Sequence, residues 1–330
     1  PVCSAWWEEG LVAAASGAAP LGASRATELR ARAEQLHESE QQAFAAAQAK
    51  KHGSDARFVA KLVASGTIRD RLAALQVQIQ ESSFHALPSV RQLVSLAQRP
   101  RPEIKLQAVE ALLAVFLRQL LPPDRPLVPL EKQRLGASPS DRALLCAHYE
   151  DRLKALYGEA VAVVSAGAAS NLPHLKQRMV SGLHEMLSAR PELEHSLLPA
   201  LVNKLGDPDK KVASRVTHLL GQLSQSHPPM KPVLLAAVQR FVLRPNVGER
   251  AQYYATIFMN QLVLSRAEAP LAQTLLLVYL ALFASRAKDA GALKAAMDPP
   301  PPWPPSWPGA ARAAPPPSPP AAWRFRLLSR

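Results

Sequence analysis

The chain has 330 residues, of which 48% are apolar, 5% are aromatic and 20% are charged, and its formal net charge is +13. The length allows a large core, and the dominance of Ala and Leu, without alternating β-branched runs, favours helices and argues against a β-sheet protein. Cys3 and Cys146 show no spacing for a disulfide framework or a zinc site, and no signal segment opens the chain, so a reducing intracellular compartment is expected.

The first 64 residues are predicted to lie outside the main core. Residues 1–22 are rich in small residues around an isolated Trp6-Trp7 pair, which predicts an extended or disordered segment. Residues 23–64 form an exposed helical segment, in which a polar helix over 24–52 has little apolar face. This helix is expected to be solvated or docked on a partner.

A series of packed helices is predicted to follow. Thr67 and Asp70 suit the cap of a helix over 68–82, and further helices are expected over 88–98, 103–121 and 141–166. The prolines between 121 and 129 exclude a helix there and predict an extended crossing.

The most regular part of the chain repeats a helical hairpin. The helix after Gly206, with Asp207 as its predicted N-cap and Pro208 in its first position, carries one apolar stripe: Val212, Val216, Leu219, Leu220 and Leu223. The stripe recurs 39 residues later (Ala251, Ala255, Phe258, Met259, Leu262) and 37 residues earlier (Leu175, Met179, Gly182, Leu183, Met186). This period, near the roughly 40–47 residues of HEAT or armadillo units, predicts an all-α protein with an α-solenoid over 65–298, most regular over 172–283. An ordinary helical bundle is the alternative.

The end of the chain has a different composition. Residues 275–283 are strongly apolar but much shorter than the roughly 20 residues that span a bilayer, so a buried helix is expected and no membrane association.

Residues 299–330 contain 12 of the 31 prolines, interleaved with Trp, Ala and Arg, and are predicted to be disordered. The abrupt change after Asp298 suggests an aberrant end, such as a translated intron or a shifted frame; a ligand for proline-binding domains is the alternative.

Basic side chains point to a polyanionic partner. Four of the positive charges follow residue 298, where there are no acids, which leaves +9 on the rest of the chain. Nucleic acid is the commonest intracellular polyanion, although a solvated surface on a protein-binding solenoid would have the same charge. The candidate phosphate- or partner-binding residues lie at helix starts and on exposed faces: Lys204, Lys210, Lys211, Arg215, Arg244 and Arg250.

No pattern in the sequence indicates catalysis. The nine histidines are scattered, and neither a nucleophile elbow nor a phosphate-binding glycine loop is present. Asp207 and Asp209 are better explained by helix capping than by acid–base work. We therefore expect no enzyme, no cofactor, no metal and no small-molecule substrate.

Three segments of the chain are distinctive: Ser65–Leu75, Leu201–Ala213 and the string Arg244-Pro-Asn-Val-Gly-Glu-Arg-Ala-Gln-Tyr-Tyr254. They resemble the nucleolar complex protein 1 family of CBF-domain ribosome biogenesis factors. The resemblance covers about residues 5–285. It implies an α-solenoid in the nucleus and nucleolus that acts in early assembly of the large (60S) ribosomal subunit and in pre-rRNA processing. It also implies a heterodimer with the second nucleolar complex protein, and binding to pre-ribosomal RNA and other pre-60S assembly factors.

The chain departs from that family in its length. Family members continue into a further helical domain, whereas here the Pro/Trp-rich segment follows, so the chain resembles the front part of such a protein. The family is also associated with transcription at CCAAT promoters, and a transcription regulator is the alternative function. The basic helix faces fit either function, but no element suited to a major groove is present, which favours the scaffold. A solenoid that binds only proteins, like a transport receptor, is the weakest alternative.

Overall fold

A computed structural model describes residues 6–7, 23–51, 53–136, 139–245 and 247–287. Its contacts divide the chain into two units, residues 1–275 and 276–330. The helices are α1 (Ala23–Lys51), α2 (Gly53–Ser65), α3 (Ile68–Glu81), α4 (Leu87–Gln98), α5 (Pro102–Val115), α6 (Asp141–Gly167), α7 (Pro173–Ala189), α8 (Glu194–Val202), α9 (Lys210–Ser226), α10 (Lys231–Val242), α11 (Glu249–Asn260) and α12 (Ala269–Ala287). The described residues form no strand, so the predicted all-α class is confirmed.

The first unit is a two-layered helical array. In one layer α3 contacts α5, α5 contacts α7, α7 contacts α9 and α9 contacts α11. In the other layer α4, α6, α8 and α10 contact one another in the same order. All five residues of the α9 stripe are buried, as are their counterparts in α7, in α11 and, for Leu262, just after α11. Each helix therefore packs mainly on its neighbours in sequence and on the next but one, which is the arrangement of the predicted repeats.

A strap, residues 121–135, crosses helix α6; it has no helix over the proline-rich residues 121–129, as predicted, and contains a short 3-10 helix at Leu130–Lys132. Three groups donate to the Glu150 carboxylate: the Arg125 guanidinium, the Val128 N–H at 2.8 Å and the Gln133 amide at 3.0 Å. Glu192 accepts from the Leu127 N–H and from Lys154 Nζ, which is 2.6 Å away. Both carboxylates are buried. The strap therefore has little regular structure, and two of its backbone donors, the N–H groups of Leu127 and Val128, are satisfied by buried acids.

The beginning of the chain is more closely packed than predicted. The Trp6 ring is 4% exposed, its Nε1 donates to the Leu120 carbonyl at 2.8 Å, and it meets the Tyr149 ring edge-on at 5.0 Å. Trp6 and Trp7 are helical. The expectation of an extended segment over 1–22 is therefore wrong at these two residues, because an indole anchors them; the remaining residues of that range lie outside the described part.

Helix α1 docks on the rest of the chain along one narrow face and is otherwise largely exposed. Ala33 is fully buried in a cluster with α6 and the strap, and Leu29 and Leu36 pack against that cluster. Ion pairs flank it, with Arg32 2.6 Å from Asp141 and Arg30 3.7 Å from Asp151. Most residues of α1 are exposed, and what the sequence did not show is the narrow contact face of three small or aliphatic residues, flanked by polar pairs, that docks the helix on α6.

Two histidines lie in this α1–α6 interface without hydrogen-bond partners. His37 Nε2 and His148 Nδ1 are buried and unpaired, with the two rings 5.5 Å apart. Burial, and then the charges of His37 and Arg152, lower the pKa of His148 to about 4, although Glu34 and Asp151 oppose the shift. Burial, and then His85 and Arg152, also lower the pKa of His37 against Glu38 and Glu40. Both rings are therefore neutral when α1 is docked at neutral pH.

We expect stability to fall as the pH drops from about 6.5 towards about 4, because only the unfolded chain binds protons at His148 in that window. The free energy of unfolding should decrease by about 1 kcal/mol more in the native protein than in His148→Gln between about pH 7 and about pH 5. Urea denaturation at both pH values measures this, with the exposed His195→Gln as the control. Equal pH dependence in all three proteins would contradict the assignment.

Helix α12 differs from its prediction in length and burial. It has 19 residues, and Leu276, Leu277, Leu280 and Phe283 are each more than half exposed. The prediction of a buried helix over 275–283 is therefore wrong for these four side chains, although Val278 in the same range is 1% exposed. Residues 266–284 are long and apolar enough to cross a membrane, by length and composition alone. In the described part of the chain, no other helix meets this criterion. The length argument against a membrane span therefore fails, although a core helix of a soluble protein meets the same criterion.

The predicted Pro/Trp-rich tail, 299–330, lies outside the described residues.

Candidate nucleic-acid interface

The helix starts of the layer α3, α5, α7, α9 and α11 lie along one edge of the array. The starts of α3, α5 and α7 meet at a surface cleft. The cleft is lined by Thr67, Ile68, Arg101, Pro102, Leu172 and His174, among others. Lys176 in the first turn of α7 reaches Asp207 before α9, and Arg250 in the first turn of α11 reaches the Pro208 carbonyl. All six predicted binding residues lie in or next to the α9 and α11 part of this row, which we call the basic edge (residues 203–215 and 244–254).

The turn before α9 is organised differently from the prediction. Helix α9 begins at Lys210, and its N-cap is Asp209, whose Oδ1 accepts from the Lys211 N–H at 2.9 Å. Asp207 is buried, and its Oδ1 accepts from the Asp209 N–H at 3.0 Å and from Lys176 Nζ at 3.1 Å. The prediction that Asp207 caps the helix is wrong by two residues, because a lysine from the preceding repeat draws this carboxylate inward.

Lys204 is the least available of the six candidates. Its Nζ lies 3.8 Å from Asp207 Oδ2, and its side chain is only 18% exposed. Burial lowers the pKa of Lys204, although the Asp207 charge opposes that shift. The residue therefore already has a carboxylate partner and stabilises the turn.

Arg244 and Arg250 are positioned by neutral oxygens. Arg244 Nη1 donates to Asn203 Oδ1 at 2.9 Å, and its guanidinium lies over the Phe241 ring at 5.8 Å. Arg250 Nη2 donates to the Pro208 carbonyl at 3.0 Å. Both side chains are exposed, and neither forms an ion pair within the described part of the chain. Their orientation is therefore fixed while their positive charge stays available.

Lys210, Lys211 and Arg215 are exposed, and among the described residues their side chains have no hydrogen-bond or ion-pair partner. Lys211 and Arg215 are four residues apart and so share the outer side of α9. Two lysines in a first turn place positive charge at the positive end of the helix dipole, an arrangement that costs about 0.3–1 kcal/mol. An anion bound at this end would offset that cost.

Sequence analysis missed two residues of this region. Lys176 holds the turn through Asp207, and Tyr253 is a largely exposed aromatic residue on α11. The repeat offset of 39 residues places Arg250 at the position that Lys211 has in α9. Tyr253 follows Arg250 by three residues and so lies on the same side of its helix. Among the described residues, no group of three His, Cys, Asp or Glu side chains could hold a metal ion.

The chain is similar to curated proteins over most of its length. It is 35% identical to mouse CCAAT/enhancer-binding protein zeta over 264 residues, which cover 77% of this chain and 25% of the mouse protein. It is 33% identical to ribosome biogenesis protein NOC1 of Chaetomium thermophilum, covering 79% and 27%. It is 29% identical to Drosophila melanogaster nucleolar complex protein 1, covering 64% and 19%. The chain thus spans about a quarter of the length of these relatives.

Two other comparisons add little. No protein-family model matches the chain. An engineered protein of known structure aligns with 63% of the chain at 14% identity and a TM-score of 0.25, which is too low to support an argument.

Proposed function

Because the chain belongs to the nucleolar complex protein 1 family, as its motifs predicted, we propose that it forms the RNA-holding part of a ribosome biogenesis factor. The names of the fungal and fly relatives refer to ribosome biogenesis and to the nucleolus. They agree with the predicted location in the nucleolus. Since the chain spans only a quarter of those relatives, the activity of the whole protein is part of this proposal.

The proposed activity is scaffolding in early 60S assembly and pre-rRNA processing. The observation that carries it is the basic edge, where Lys210, Lys211 and Arg215 are unpaired among the described residues. Arg244 and Arg250 are held beside them by neutral oxygens. Such a surface attracts phosphates without reading bases, as a scaffold for a long precursor RNA requires. In this role the chain binds and holds, and it catalyses nothing.

The proposed protein partners follow from family membership. They are the second nucleolar complex protein, as a heterodimer, and other pre-60S assembly factors. Helical arrays of this kind offer extended surfaces that can hold several partners at once. Precipitation of the chain from nucleolar extract with and without ribonuclease tests this part, because protein contacts should survive digestion of the RNA.

A second candidate is a transcription regulator at CCAAT promoters. The name of the mouse relative favours it. The basic edge would attract DNA phosphates equally well, since phosphate attraction does not depend on sequence. Helices α3 to α11 nevertheless pack in the array and present their starts at its edge, an arrangement that does not offer one of them for insertion into a major groove.

Crosslinking of the chain to nucleic acid in cells, followed by sequencing, separates the two candidates. The scaffold predicts enrichment of large-subunit precursor ribosomal RNA over other nuclear RNA. Enrichment of CCAAT promoter DNA instead would support the regulator. Recovery of neither, with intact protein partners, would show that the chain acts through protein contacts and that the basic edge is merely solvated.

A further inference from the structure

Tyr253 is an exposed aromatic residue on the outer side of α11. The side chain is 62% exposed, whereas Ala251, Ala255, Phe258 and Met259 face the interior. At about 100° per residue, Tyr253 lies nearly opposite the middle of that buried face. An aromatic residue exposed to this extent contributes little to the core, and its ring is open to solvent.

The exposure of Tyr253 is not explained by a missing neighbour at the end of the array. The repeat offset of 39 residues places Tyr253 at the position of Ser214 in α9. Helix α9 has a neighbour in its layer on both sides, α7 and α11, and Ser214 is still exposed. This position therefore faces solvent in a repeat that is packed on both sides.

Tyr253 lies next to the cations of the basic edge. Arg250 is one turn before it on the same helix, so the two side chains are neighbours on the surface. The Tyr254 ring packs edge-on against Tyr253, with centroids 5.5 Å apart and planes at 72°, which limits the freedom of the exposed ring. Glu249, in the same turn, already makes another interaction within the fold. An oriented aromatic face is thus presented beside an arginine that is positioned to contact phosphate.

We propose that Tyr253 stacks on an unpaired base, and that the basic edge therefore takes single-stranded RNA in preference to a duplex. This inference rests on the proposed function and specifies the form of RNA that the site binds. Bases in an A-form duplex have no free face, whereas bases of a single strand stack on exposed aromatic rings while the backbone follows nearby cations. Stacking is tolerant of sequence, in keeping with an edge that otherwise contacts phosphates.

The test compares two probes with the full chain by fluorescence anisotropy. One is an unstructured RNA of about 12 nucleotides, near the length that such sites cover, and the other is the blunt duplex of the same strand. The variants are Tyr253→Ala, which removes the ring, and Tyr253→Phe, which keeps it. Phe58→Ala is the matched control, because Phe58 is 63% exposed but lies on α2, away from the basic edge.

We expect the native chain to prefer the single strand, and Tyr253→Ala to bind it about tenfold more weakly with no change for the duplex. Tyr253→Phe and Phe58→Ala should bind both probes as the native chain does. Equal single-strand binding by the native chain and Tyr253→Ala would overturn this inference and leave the proposed function standing. Failure of the native chain to bind either probe would overturn the proposed function itself.

Discussion

Replacement of Glu150 by alanine is expected to lower the free energy of unfolding by about 3 kcal/mol. The buried carboxylate accepts from the Arg125 guanidinium, the Val128 N–H and the Gln133 amide. Alanine would leave these donors without their acceptor and Arg125 without its counter-charge, and would free the strap that crosses α6. Unpaired polar groups and a partly buried charge cost far more than the hydrogen bonds contribute on balance.

Chemical denaturation followed by circular dichroism measures this effect. Glu159→Ala is the matched control, since Glu159 is an exposed glutamate on the same helix and its loss should change stability by less than about 0.5 kcal/mol. Glu150→Gln should fall between the two, because it keeps an acceptor oxygen but loses the charge. If Glu150→Ala were as stable as Glu159→Ala, the strap would not depend on this carboxylate.

Reversal of three charges on the basic edge is expected to weaken RNA binding by about a hundredfold or more at roughly 0.1 M salt. The triple variant is Lys211→Glu, Arg215→Glu and Arg250→Glu, at positions that are exposed in the structure. Each neutralised phosphate contributes to counterion release, so the slope of log affinity against log salt should decrease by about 2 or more. The fold should persist, because none of the three forms an ion pair in the described part.

Anisotropy titrations over a range of salt concentrations measure both quantities. The control reverses three exposed basic residues on α2 and α4, with the same change in net charge: Arg57→Glu, Lys61→Glu and Arg91→Glu. This control should lose much less affinity and keep most of the salt slope. Equal losses in the two triple variants would mean that net charge alone attracts the RNA and that the edge is not the site.

Much of the fold could be predicted from local sequence. The Thr67–Asp70 pair predicted a capping box, and the structure contains it, with the Thr67 hydroxyl accepting from the Asp70 N–H. The proline-rich crossing was also predictable, since proline restricts itself and the residue before it. What could not be predicted depends on distant residues: Trp6 is fixed by Leu120 and Tyr149, which lie more than 100 residues away along the chain.

The candidate site, like the fold, was predictable where it depends on local sequence and not where it depends on distant residues. Periodicity placed the basic residues at the starts of neighbouring repeats, and the structure brings those starts together at one edge. Which charges remain available was not visible in the sequence, because the partners come from other repeats. Lys176 draws Asp207 inward from 31 residues away, and Asn203 holds Arg244 from 41 residues away. The exposure of Tyr253 was equally hidden, since helical spacing alone does not distinguish an outer aromatic from a core one.

The most direct test of the basic edge as the RNA site is mass spectrometry of peptides crosslinked to RNA by ultraviolet light, with the full chain bound to precursor ribosomal RNA. The proposed site predicts crosslinks concentrated in two short stretches, residues 203–215 and 244–254, with Tyr253 among the modified residues. Crosslinks confined to α2, α4 or α10, in an experiment where the RNA is bound, would contradict it.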